Sequence, residues 1–438
     1  MTKPDPKKPF KHIRTTDIRG IAQLATQATM GVTRVAEGVH QSVLSTLGVP
    51  GGKAQGQTRG ITGLVYKSIL NITQLLGKGG DAVLVKLQPQ LESLDSDKPG
   101  TPQREAVLAA LNGLVGDRLV ASNNPFATPM TLRYQRKALN WQSMLSRSDA
   151  VLSSSEVKSS KCEAESLMPE ATGKIVLIIH GLCMNDLQWC VQHEEQMVDH
   201  GEALASALGY TPVYLRYNTG LHTSQNGREL SAQLEQLITH WPTPIEELTV
   251  VAHSMGGLLT RSAVHYANQA SLHWPECLKN IVFLGTPHHG APLERAGNWV
   301  DVILGSTPYT APFSALSGLR SAGITDLRHG HVVDEDWHGH DRFHRKPDNR
   351  QIIPLPEGVA CYTVAATTAA KRSTLADRLI GDGLVPLHSA LGMHNDTQRN
   401  LEFEEASQWI FYSMNHMELL SRPEVTRQLV QWLTPIQD

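Results

Sequence analysis

Apolar residues recur along the C-terminal two-thirds of the chain in short bursts, separated by stretches of helical period. Lys174 to His180 reads as a strand buried on both faces, because its run of Ile, Val and Leu shows no polar alternation. Pro212 to Tyr217, Leu248 to Ala252, Asn280 to Leu284, Val359 to Ala366 and Gln408 to Tyr412 predict further strands. Between them, Gln188 to Leu208, Arg228 to Trp241 and Leu258 to Ala267 carry a helical period, and a closing helix begins near Pro423. Strand and helix at this rhythm predict an α/β class, with a mostly parallel sheet and helices on both faces. The interval 291–356 breaks the rhythm. It is too long for a plain loop, so it predicts a lid-like insertion over the C-terminal edge of the sheet, with helices of its own such as Leu293 to Leu304.

The first 145 residues differ in texture. They are rich in Ala, Gly, Thr, Leu and Gln, poor in strand signals, and predict a helical N-terminal region. Arg19-Gly20-Ile21-Ala22-Gln23-Leu24 resembles Arg59-Gly60-Ile61-Thr62-Gly63-Leu64, a weak internal repeat whose apolar positions fit one helix face in each copy. Two copies do not make a solenoid. A third helix is expected from Gln103 to Leu119, opened by Thr101-Pro102 as a cap followed by proline. The apolar faces of the repeats suit either packing or peripheral contact with a lipid surface, and their lysine-poor polar faces favour packing. A Ser/Glu/Lys-rich stretch, 146–172, reads as a linker to the α/β domain spanning 173–438.

Composition narrows the picture. Across 438 residues the formal net charge is −3, which argues against a nucleic-acid partner. The longest apolar runs are strand-sized, far short of a membrane span. Met1 to Arg19 holds no apolar segment of the kind a secretory leader needs. Five cysteines without C-x-x-C spacing read as reduced thiols, and a cytoplasmic location is expected.

Chemistry concentrates at Val250-Val251-Ala252-His253-Ser254-Met255-Gly256-Gly257. A β-branched run feeds a serine flanked at two positions on either side by Ala252 and Gly256, and a helix follows. Such a strand-to-helix turn brings backbones too close for larger side chains and lifts the serine Oγ above the sheet. A serine alcohol needs a base to take its proton, and a carboxylate to orient that base. With the chain order serine, acid, histidine, the best acid is Asp382 in Gly381-Asp382-Gly383-Leu384-Val385-Pro386, with Asp334 or Asp336 in the insertion as alternatives. The best base is His416, which follows the last predicted strand. Backbone N–H groups must also face the developing oxyanion. Met255, directly after the serine, and Leu182, in the loop after the first strong strand, are the expected donors.

Together these motifs resemble the lipases and esterases of the α/β-hydrolase superfamily. His-Gly-Leu (180–182), Ala-His-Ser-Met-Gly-Gly, Gly-Thr-Pro-His-His-Gly (285–290), Gly-Asp-Gly-Leu-Val-Pro and Asn-His (415–416) stand in that family's order between residues 174 and about 433. Gly-Thr-Pro-His further suggests the branch of bacterial triacylglycerol lipases and PGAP1-like deacylases. The resemblance implies an α/β-hydrolase fold and cleavage of a small-molecule or lipid ester through an acyl-enzyme, with no cofactor. The same machinery in an acyltransferase, or a lipid-binding scaffold with a vestigial triad, remains open. His253 is expected to pack near the elbow, and His288 and His289 to shape the floor of the site. The run His329, His331, His338, His340 and His344, mixed with acids, offers zinc-type ligands but lacks helical His spacing and cysteines, so it reads as a polar loop with no metal.

Overall fold

The computed structural model describes residues 101–139, 170–291, 320–339, 348–370 and 381–435. The repeats near residues 19 and 59, the linker and the helix expected at Leu293 to Leu304 lie outside the described residues. The described residues group into two units.

The smaller unit takes in 101–128, 218–220 and 320–321. Its helix α1, Pro102–Ala121, begins as Thr101-Pro102 predicted: the Thr101 hydroxyl accepts from the Arg104 N–H, and proline occupies the first turn. The helix is kinked at Val115. Buried Asn112 fastens it to the following turn, donating to the Phe126 carbonyl (2.7 Å) and accepting from the Thr128 N–H (2.9 Å).

In the larger unit, one sheet runs through β1 (Thr131–Tyr134), β2 (Lys137–Ala138), β3 (Lys174–Ile179), β6 (Thr211–Arg216), β7 (Glu247–His253), β8 (Leu278–Leu284), β9 (Ala360–Thr367) and β10 (Gln408–Tyr412). Its order is β10-β9-β8-β7-β3-β6-β1-β2. All neighbours from β10 to β6 are parallel, and the pairings of β6 with β1 and of β1 with β2 are antiparallel. This is the α/β-hydrolase fold. Alternate residues of β3 feed two cores: Ile175, Leu177 and Ile179 on one face, Val176 and Ile178 on the other. On the first face, helices α3 (Thr223–His240) and α4 (Met255–Gln269) supply Leu230, Leu234, Leu237, Leu259 and Ala263. The other is covered by α2 (His200–Leu208) and α5 (Pro423–Leu433) through Leu204, Val425, Leu429 and Leu433. Burial on both faces explains why these strands read as continuous apolar runs.

Two expectations are corrected. The helix anticipated over Gln188 to Leu208 exists only as α2. Before it come a 3-10 turn, Asp186–Trp189, and a hairpin of β4 (Val191–His193) and β5 (Gln196–Val198) that turns at Glu194, where φ is +51°. Asp199 stops the hairpin and starts the helix, its carboxylate accepting from the Gly201 and Glu202 N–H groups. Second, the region before residue 145, read as helical and poor in strand signals, also contributes β1 and β2, so the sheet begins ahead of residue 173. β1 alternates half-buried Thr131 and Arg133 with buried Leu132 and Tyr134, and Arg133 and Arg216 both pair with buried Asp186. Four residues are too few for that alternation to stand out in the sequence.

Candidate active site

The C-terminal ends of the parallel strands converge on one edge of the sheet, where ligands gather in open α/β folds. Strand β7 ends at His253 and α4 starts at Met255, leaving Ser254 alone in the turn with φ +55° and ψ −123°. A non-glycine residue held there is strained, and the surroundings enforce it. The Ser254 N–H donates to the Leu284 carbonyl (2.8 Å), while Gly257 N–H donates to the Ser254 carbonyl (3.0 Å). The small-residue requirement is met literally. A Cβ on Gly256 would stand 2.8 Å from the Ile179 oxygen and 2.9 Å from that of His180, and Ala252 is fully buried.

Asp382 and His416 meet across 34 residues of chain. His416 Nδ1–H donates to Asp382 Oδ2 at 2.6 Å, with both side chains nearly inaccessible. Asp382 Oδ1 accepts from the N–H groups of Leu384 (2.9 Å) and Val385 (2.7 Å), and the Asp382 carbonyl accepts from the His416 N–H (3.1 Å). Gly381, at φ +50°, allows this loop to close, since a Cβ there would fall 1.9 Å from the Val385 oxygen. Because Nδ1 carries the proton given to Asp382, Nε2 is left with a lone pair to accept one. The alternative acids are engaged elsewhere. Asp334 pairs with Arg228 (2.6 Å), and Asp336 accepts from Val332, Val333 and Gln351 N–H groups.

Serine and histidine share neighbours. The His416 ring lies 4.5 Å, centroid to centroid, from that of His253, the residue before Ser254. Gly285 follows the carbonyl that binds Ser254, and a Cβ on it would sit 3.1 Å from His416 Nδ1 and Cε1. Gly181 closes the other side, its absent Cβ 3.0 Å from the Ser254 Cβ. Leu182 is buried in that loop. Met255 opens α4, where an N–H has no intrahelical acceptor. The peptide joining Gly181 to Leu182 is oriented by His180, whose Nδ1–H donates to the Gly181 carbonyl (2.9 Å) while its ring stacks on Tyr217. Burial pushes the His180 imidazole down to about 4.

His253 and His288 are also fully buried, and burial holds both well below the ordinary imidazole range. His288 packs between Phe283 and Phe403, whereas His289 Nε2–H donates to the Gly392 carbonyl (3.0 Å). Cys183, at φ +58°, is buried with its thiol pushed up to about 12 by desolvation, which disarms it as a nucleophile. From the histidine-rich run, His331 Nδ1–H donates to buried Asp326 (3.1 Å), as does that of His222, and His329 stacks on His331. His340 and His344 lie outside the described residues. Among the described residues no three metal-type ligands converge, and no helix is long and apolar enough to cross a membrane. Sequence reasoning missed His180 and His253 as hydrogen-bonding partners within the site. The only signal was their adjacency to the glycine and serine of the two motifs.

Residues 170–361 match the family described as the PGAP1-like alpha/beta domain. Among curated proteins no sequence matches the chain. Of solved structures, lipase BlEst2 from Bacillus licheniformis in its mature form is 18% identical, over 60% of this chain and 92% of that one, with a TM-score of 0.35. Aspergillus fumigatus lipase B is 12% identical over 60% of this chain and 52% of its own, at 0.35. The naproxen esterase of Bacillus subtilis is 12% identical over 60% and 84%, at 0.33. The fold is carried by the strand order and the elbow, not by these likenesses.

Proposed function

From an α/β-hydrolase fold that carries a PGAP1-like α/β domain, we propose that this chain is a serine hydrolase cleaving carboxylic esters, with lipid or other acyl esters as substrates. The observation that carries the reading is the buried 2.6 Å contact between His416 Nδ1 and Asp382, presented at the strand ends beside a serine in a strained strand-to-helix turn. In this reading the Ser254 Oγ attacks the ester carbonyl and its proton passes to His416 Nε2. The imidazolium is held by Asp382, and the N–H groups of Met255 and Leu182 stabilise the oxyanion. The alcohol leaves with the proton from His416. Water then attacks the acyl-enzyme, gives a proton to His416, and the acid departs as Ser254 recovers its hydrogen. The residues need no metal or organic cofactor for these steps. The five cysteines, scattered and without C-x-x-C spacing, favour action in a reducing compartment such as the cytoplasm.

The test is hydrolysis of p-nitrophenyl esters from short to long acyl chains, run beside Ser254→Ala. Turnover is expected in the wild type, with a fall of at least about a thousandfold in the variant, and labelling by a fluorophosphonate only where Ser254 is present. Product esters appearing when alcohols are supplied would reassign the chain as an acyltransferase. Neither turnover nor labelling would leave a binding protein on a hydrolase scaffold.

A further inference from the structure

Two buried histidines outside the Ser254, Asp382 and His416 constellation each hold a backbone carbonyl of the turn that carries His416. That turn is a 3-10 segment, Met417–Leu420, with His416 at its N-cap. His253 Nε2 lies 3.2 Å from the His416 carbonyl oxygen, and His200 Nε2 lies 2.9 Å from that of Leu419. A carbonyl only accepts, so both rings carry their proton on Nε2. His200 Nδ1 then accepts from the Thr426 hydroxyl (2.8 Å) on α5. Among the described residues His253 Nδ1 is buried without a hydrogen-bond partner, close against Gly181, where a Cβ would come within 3.1 Å of it. Trp189 presents an edge-on contact to each ring, at 6.0 Å for His200 and 6.3 Å for His253. Burial depresses the basicity of both imidazoles, which keeps them as neutral donors.

We infer that His253 and His200 are positioning residues for the His416 imidazole, clamping the turn on which it stands; the inference rests on the triad reading above. Asp382 restrains His416 at two points, the ring Nδ1–H and the backbone N–H. Neither restrains the peptide that leaves His416. The bond from His253 does, on the carbonyl side, while Asn415 Oδ1 accepts from the Met417 N–H on the other (3.0 Å), and together they set the direction of the His416 Cα–Cβ vector. Misplacing a reacting group by about 1 Å costs on the order of a hundredfold in rate, so a bond at this peptide has leverage over catalysis. The clamp also couples nucleophile and base. His253 precedes Ser254 in the chain, so the elbow that lifts the serine also sets the height of its base.

The experiment uses the full chain, with His253→Leu beside His253→Gln and His200→Leu beside His200→Gln. Two quantities are read: kcat and KM on a p-nitrophenyl ester, and the downfield proton NMR signal of His416 Nδ1–H, assigned by its loss in His416→Gln. In His253→Leu, kcat should fall about tenfold or more with KM within about twofold, and the Nδ1–H signal should broaden or vanish. The glutamine amide can offer an N–H at the same reach, so His253→Gln should recover most of both. The His200 pair should follow the same pattern to a smaller degree, and decides the matter if His253→Leu fails to fold. Wild-type kcat and signal in both leucine variants would overturn the clamp, as would glutamine variants that fold yet are as impaired as the leucine ones. If the wild-type chain hydrolyses no ester, the proposed function fails, while the NMR signal still reports whether the clamp holds His416.

Discussion

Ser254 is held by the close packing of residues 250–257 against the backbone of residues 179–181 and 284, whereas Asp382 and His416 are held by hydrogen bonds between loops 34 residues apart. The elbow works through exclusion: a positive φ at Ser254 and no room for a Cβ at Gly256. The acid–base pair works through satisfaction, with three N–H donors converging on the Asp382 carboxylate and the His416 N–H returned to its carbonyl. Damage to the first should therefore appear as lost stability and damage to the second as lost rate. Steric strain is stored in the fold, while hydrogen-bond orientation matters most when charge develops on the imidazole.

The largest test of that division is Asp382→Asn. The amide keeps the shape of the carboxylate but favours the wrong histidine tautomer, and kcat should fall by about 10³- to 10⁴-fold with little change in unfolding midpoint. A comparable loss of stability would break the division. Next comes acid. His180 takes up a proton near pH 6.5 when unfolded but only near 4 when folded, so the unfolded chain binds more protons across that window. Stability contributed by this group is full above about 6.5 and is lost as pH falls toward 4, by about 3 kcal/mol at most. Urea titrations at several pH values should show this slope added to that of the other buried histidines, and His180→Gln should reduce it. Gly256→Ala should cost about 1–3 kcal/mol by pressing on the Ile179 and His180 carbonyls, and thermal unfolding would show it; an unchanged midpoint would mean that the elbow has slack. The smallest effect is expected outside both regions. Arg228 and Asp334 form a pair with side chains 44% and 37% exposed, so Arg228→Ala should change stability by less than about 1 kcal/mol.

Legibility followed the range of the forces. Strands β3, β7 and β8 are readable because both faces of each are buried and their sequences are dense in apolar residues. The cap at Thr101-Pro102 and the elbow were readable because local geometry demands those residue types. The hairpin Val191–Val198 was misread because its few apolar positions also fit a helical period, although Asp199 with Glu202 three residues later already marked a helix start. Strands β1 and β2 are not legible because β1 is held by pairing with β6 and by the Arg133–Asp186 contact, neither of which is local, and β2 pairs only with β1. Among the acids, order and context favoured Asp382, but Asp334 and Asp336 stayed open until their partners were seen.

By itself the sequence determined the α/β alternation, the place of the elbow and the three residue types a serine hydrolase requires, because periodicity and tight-turn sterics act over a few residues. Only the tertiary structure decided which carboxylate meets His416, which strand joins the sheet edge, and that His180, His200 and His253 are buried neutral donors. Those outcomes depend on hydrogen bonds and desolvation between residues far apart in the chain, and no local pattern records which distant groups will be brought together.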